Sequence, residues 1–202
     1  MPLVSTAVSG FMNAKGASLA LAGSKFSTMA SAISSAVCTY VLSAAIINST
    51  NIVLGPGAGT HTGKVVGLVA SSMAQLMVAK AASTGMAGRD ISKLFNAVSF
   101  GVVQGFNTVM AQGSVIGGGP GTGSGKILGL VPTALSGLIM AQTAVKLLSG
   151  KDMAKLASAI AFGACTHIMA NETVTNTCIG AAAGPPAGPV SIPAAPGRGR
   201  LV

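Results

Sequence analysis

Two segments of the chain carry the residue types of a phosphate cradle: VLGPGAGTHTGK at 53–64 and VIGGGPGTGSGK at 115–126. In a P-loop, G-x-x-x-x-G-K-[ST], consecutive backbone N–H groups wrap the phosphates, the lysine reaches the terminal one and the hydroxyl holds magnesium. The pair Gly125-Lys126 puts Pro120 where the first glycine belongs and Ile127 where the hydroxyl belongs. The earlier segment fails at the same two places, with Ala58 and Val65. A dinucleotide fingerprint needs an acidic residue roughly 20 positions beyond its glycines, and the chain has only three carboxylates, Asp90, Asp152 and Glu172. No nucleotide and no other cofactor is expected.

The remaining chemistry-bearing residues are sparse. His61 falls in a glycine-rich loop and His167 on a helix, with no acidic residue at triad or metal-ligand spacing. Asp90 and Asp152 occupy equivalent places in a repeat and read as helix starts rather than as a paired acid and base. Cys38, Cys165 and Cys178 are odd in number and widely spaced, which suggests neither a zinc site nor a disulfide framework. They read as small apolar fillers in a reducing compartment. The sequence therefore argues against an enzyme, with no catalytic, cofactor-binding or metal-ligating residues.

Composition points the same way. Hydrophobic residues make up 50% and charged residues 7%, against a usual charged share of about 25%. Such a chain cannot cover its surface with charge and is expected to hide much of it in an assembly or in lipid. The net charge of +9 comes from scarce acids, and the bases are scattered singly among few aromatics, so nucleic acid is not the expected partner. The segment Gly197–Arg200, GRGR, reads as a soluble tail. No basic residue precedes the first apolar run, so a secretory signal is not expected.

The two glycine segments belong to a repeat. They align without a gap at an offset of 62, and 63–90 matches 125–152 in the same register at ten of 28 positions. A third copy opens the chain: Thr6–Gly23 lies on Thr133–Gly150 with eight identities in 18, and brings Cys38 opposite Cys165. The units run 1–62, 63–124 and 125–183, followed by a Pro/Gly-rich tail at 184–202.

Within each unit the apolar spacing is helical: Phe26, Met29, Ile33, Val37, Tyr40, Ala44 and Ile47 in one segment, Ile91, Leu94, Val98, Val102, Gly105 and Val109 in another. Gly23, Gly88 and Gly150 are expected to close the first helix of each pair, and Pro132 fits a first helical turn. The expected fold is all-α: three tandem helical hairpins, six helices, joined by glycine-rich loops. The glycines of those loops, Gly55, Gly57 and Gly59 in one and Gly117, Gly119 and Gly121 in the other, would let backbone approach a neighbouring chain closely. Lys64 and Lys126 would then start the following helices, where a cation opposes the macrodipole and either meets a partner in the assembly or simply reaches water.

Ser, Thr, Ala and Gly on the helices' polar faces suit dense packing in an oligomer and equally in a membrane bundle. Phe26–Asn48 is 23 uncharged residues and Gly101-x-x-x-Gly105 is a small-xxx-small pattern, whereas the uncharged run Val65–Ala79 is only 15 residues and Trp is absent. The pattern of LASAIAFG followed by V-x-G-x-G-x-G-K-I-x-G-L-V resembles small Ala/Gly/Ser-rich structural proteins of tailed bacteriophages, especially contractile-tailed myoviruses. That resemblance implies a virion component of tail or baseplate, with copies of itself or other virion proteins as partners and no catalytic residues to carry over. The alternative is an integral membrane protein with up to six short transmembrane helices. The three units could also stand about a pseudo-threefold axis, which a linear stack would rule out.

Overall fold

The structure, a computed structural model, describes residues 3–21, 23–54, 58–116, 121–171, 173–178 and 191–201. In chain order its elements are α1 (Ser5–Ser18), α2 (Ser24–Ala44), β1 (Ile46–Leu54), β2 (Ala58–Val66), α3 (Ala70–Ser83), α4 (Ile91–Thr108), β3 (Met110–Ile116), β4 (Gly121–Leu128), α5 (Pro132–Val145), α6 (Met153–Asn171), β5 (Val174–Cys178) and β6 (Ser191–Leu201). The order helix, helix, strand, strand recurs three times.

Each first helix is entered from a valine in extended conformation, Val4, Val69 or Val131. Pro132 follows the last of these at the start of α5, where its missing N–H costs nothing. The helices close earlier than the glycines at 23, 88 and 150 suggest. Their closing residues are Ala20, Gly85 and Leu147, all at positive φ, with Leu21, Met86 and Leu148 donating N–H bonds back to Gly16, Ala81 and Thr143. That is the Schellman pattern. Asp90 precedes α4 without capping it by side chain, and Asp152 precedes α6; their carboxylates pair with Lys93 at 2.8 Å and Lys155 at 3.0 Å.

The six helices stand in a ring. Besides the three hairpins, α2 packs on α3, α4 on α5, and α6 back on α1. Equivalent residues make these junctions. A Cβ on Gly163 of α6 would meet the backbone N of Met12 and the O of Val8 in α1 at 2.9 Å, and one on Gly101 of α4 would meet Ile139 N in α5 at 3.0 Å. The same two positions at the α2–α3 junction hold Ala36 and Met77, both fully buried. A small residue on each second helix thus receives a large one from the next unit, and the Gly101-x-x-x-Gly105 pattern serves packing inside the ring, Gly105 facing Leu135 and Leu130.

The strands make a second ring. Each pairs antiparallel with the next, and β6 pairs back on β1, closing a six-stranded barrel. This overturns the all-α expectation: the fold is mixed α/β, and the glycine-rich connectors are barrel strands. Ile47 and Asn48, read as the end of a helix, belong to β1, because α2 stops at Ala44. Residues 191–201, read as a tail, form β6. The physical reason lies in the alternation. Ile47, Ser49, His61, Val65, Ala111, Ile127 and Val174 are buried, while the intervening Asn48, Thr50, Thr60, Thr62, Lys64, Gln112, Ser124, Lys126 and Thr175 are exposed. This is a period of two with one face inward.

Six strands enclose a lumen narrower than the eight-stranded case that side chains just fill, so several inward positions must be glycine. At Gly63 a Cβ would lie 2.7 Å from Asn48 O, and at Gly125 2.5 Å from Gln112 O; at Gly113 it would run into Ser124 O. The backbone approached by these glycines is that of the same chain.

Candidate functional site

Of the residues expected to make contacts, Lys64 and Lys126 are placed on β2 and β4, exposed on the outer wall of the barrel, and neither starts a helix. Lys64 stands in register with Asn48 on one side and Met110 on the other; Lys126 pairs with Gln112. The two ammonium groups therefore flank β3 on one side of the barrel. Gly59 and Gly121 lie within strands, paired with Val115 and Cys178 respectively. Gly55, Gly57, Gly117 and Gly119 lie outside the described residues.

A groove of about 660 Å³ runs over this wall, lined among others by Thr60, Gln112, Ser114, Ser124, Lys126 and Thr173. Its described lining offers hydroxyls, an amide and one cation. Among the described residues no cluster of three His, Cys, Asp or Glu side chains could hold a metal ion. Among the described residues no strand contains a carboxylate, whereas Lys64, Lys126, Arg198 and Arg200 all lie on strands.

An apolar collar sits where barrel and helices meet. Val4, Val69 and Val131, equivalent in the three units, are 40%, 51% and 49% exposed. Ile46, Met110 and Leu128 at the helix-proximal ends of β1, β3 and β4 are exposed as well. Three matched valines at equivalent positions of the three units are more than the scattered surface apolars of an ordinary chain.

Two histidines set aside on sequence grounds turn out to be structurally placed. Nε2 of His167 accepts the backbone N–H of Val4 at 3.0 Å, with the Phe11 ring 6.3 Å away. Burial first, and the N-terminal amine second, push the pKa of His167 below the ordinary value. At the equivalent junction the Tyr40 hydroxyl accepts the Val69 N–H at 3.1 Å, and in the middle unit the matching residue is Gly105, which has no side chain to offer. His61 lies fully buried in the barrel lumen against Gly113 and Gly125, in a place where the second repeat has Gly123. The sequence signal for it was the alternation Thr60-His61-Thr62, which puts the imidazole opposite to two exposed threonines. Cys38 and Cys165 are buried on α2 and α6 as expected of apolar fillers, and burial lifts the Cys165 thiol to about 12, far from reactivity.

No family model, no curated protein and no solved structure matches the chain.

Proposed function

We propose that the chain is a non-enzymatic virion structural protein, associated with a tail or baseplate, that occupies a threefold or sixfold axis of a larger assembly. The observation that carries this reading is the closure of three helix-helix-strand-strand units into one ring of helices and one barrel. A single chain of this kind presents three equivalent faces, as a homotrimer would, and so fits partners related by a threefold axis. The valine collar supplies matched apolar contacts for them, and the hydroxyls, amide and cation of the groove suit binding. A charged share of 7% also suits a surface covered by neighbours.

The second reading, an integral membrane protein, is favoured by α2 and α6, which are long and apolar enough to cross a bilayer. Against it, α1, α3 and α5 have 14 residues each, or about 21 Å of helix, short of a hydrocarbon core of about 30 Å. Fractionation separates the two. Co-sedimentation with particles after a detergent wash, with one copy per symmetry axis by quantitative mass spectrometry, is expected. Partition of the protein expressed alone into membranes, with release only by detergent, would sink the virion reading.

A further inference from the structure

We propose that His61 makes the barrel an acid-sensitive element, whose strands separate around the imidazole when it takes up a proton. The side chain is 0% exposed, and both Nδ1 and Nε2 lack a hydrogen-bond partner. The hydroxyl of Ser49, on the adjoining strand β1, is likewise buried without one. A neutral imidazole tolerates this at the cost of two unmade hydrogen bonds; an imidazolium in the same place is an uncompensated buried charge.

Among the described residues no carboxylate faces the ring, and only the Ser114 backbone favours its charged form. In register His61 stands beside Asn51 of β1 and Gly113 of β3, its ring lies against Gly113 and Gly125 of β4, and Ser49, Ala111, Ile127 and Val174 are buried in the same barrel. The ionisable residues of the barrel strands are Lys64 and Lys126, exposed on the outer wall, Arg198 and Arg200 on β6, and Cys178 on β5. All four of the charged ones are cations, which oppose protonation further. The carboxylates Asp90 and Asp152 belong to the helix–helix turns and are paired there with lysines. Burial accordingly depresses the pKa of His61, an effect the Ser114 backbone only partly offsets.

Space is as restrictive as charge. A Cβ on Gly113 or Gly125 would stand 2.6 or 2.8 Å from the ring's Cε1, so the imidazole fills the lumen between two glycines and cannot draw in a hydration shell while the strands stay paired. Protonation therefore requires that the row His61–Gly113–Gly125 come apart. The glycine-rich ends of the strands would be released, with the helical ring left closed by its own junctions.

The chain has two histidines, which makes the test clean. Amide hydrogen exchange of the full chain, corrected for the intrinsic pH dependence, is followed at Ser49, Gly113 and Gly125 between pH 7 and pH 5. Each pH unit between the unfolded and folded pKa is worth about tenfold in the opening equilibrium. Exchange at these amides should rise by about tenfold or more in the unaltered chain and in His167→Gln, and stay within about twofold in His61→Leu, which removes both unpartnered nitrogens. Where His61→Leu does not fold, His61→Gln, neutral throughout this range, takes its place under the same criterion. Equal acceleration with and without the imidazole, or none in the unaltered chain, overturns the proposal.

Discussion

The backbone N–H of Val4 donates to Nε2 of His167 at 3.0 Å across 163 residues of sequence, and this bond lies where the chain's first helix meets its last. Everywhere else around the ring successive units are linked covalently; between the third and the first, closure rests on α1 against α6 and β1 against β6. His167 can accept only as a neutral imidazole. Its folded pKa lies below the ordinary 6.5, so between those two values the folded state holds fewer protons than the unfolded one. Stability is then fully present above about 6.5 and falls as the pH drops through that value toward the folded pKa. His167→Ala should cost about 1 kcal/mol at pH 7 by chemical denaturation and remove this part of the acid sensitivity. An unchanged pH profile in that variant would assign the sensitivity elsewhere.

Gly113 and Gly125 are needed for the absence of a side chain. Alanine at either position collides with backbone across the strand pair and with the His61 ring, which should destabilise by about 1–3 kcal/mol or more. Gly10 and Gly137, equivalent positions on α1 and α5 with nothing within 4 Å of an added Cβ, provide the contrast. Alanine there should stabilise by about 0.5–1 kcal/mol, because a helical glycine carries excess chain entropy. Thermal unfolding of the four variants side by side checks the opposite signs.

At the seam, Gly163 and Met12 should be energetically coupled. Gly163→Ala pushes into Met12 and the Val8 carbonyl, and Met12→Ala empties a fully buried site. The double variant should lose less than the sum of the singles, since the shorter residue on α1 partly makes room for the methyl on α6. A coupling of about 0.5–3 kcal/mol is expected, and strict additivity in urea denaturation would show that the two helices do not meet there as described.

Leu147 closes α5 at φ 56° with its side chain 89% exposed, in the place where the second unit has Gly85. A non-glycine residue in this region costs about 1–2 kcal/mol. Leu147→Gly should therefore raise stability by about 1 kcal/mol and remove an exposed apolar side chain as well. Calorimetry that found no gain would mean that Leu147 is held by a partner contact worth the strain.

The repeat and the six helices were legible because identities recur in register and because Phe26, Met29, Ile33 and Val37 keep helical spacing. The barrel was not, although its alternation is present. On its inward face Gly63, Gly113, Gly125, Ser49 and His61 interrupt the apolar Ile47, Val65, Ala111, Ile127 and Val174, so the apolar period that marks an ordinary strand is broken. Glycine-rich residues 53–64 and 115–126 consequently read as loops. His61 escaped notice as a placed residue for a related reason: its surroundings come from β1, β3 and β4, none of them local in sequence. The seam was hidden in the same way, since Val4 and His167 are neighbours only once the ring has closed.

The valine collar separates a role in folding from a role in assembly. Val4, Val69 and Val131 precede their helices with backbone already extended and about half of each residue in solvent. Replacing all three by Ser should therefore leave the melting behaviour of the isolated chain within about 0.5 kcal/mol per site. If the collar is the contact with threefold-related partners, the same variant should fail to enter particles, because each site would lose apolar burial worth about 1 kcal/mol or more, three times over. The measurement is incorporation: unaltered and variant chains supplied together, with the ratio in purified particles read by mass spectrometry. Equal incorporation would remove the collar from the interface and shift attention to the cationic wall around Lys64 and Lys126.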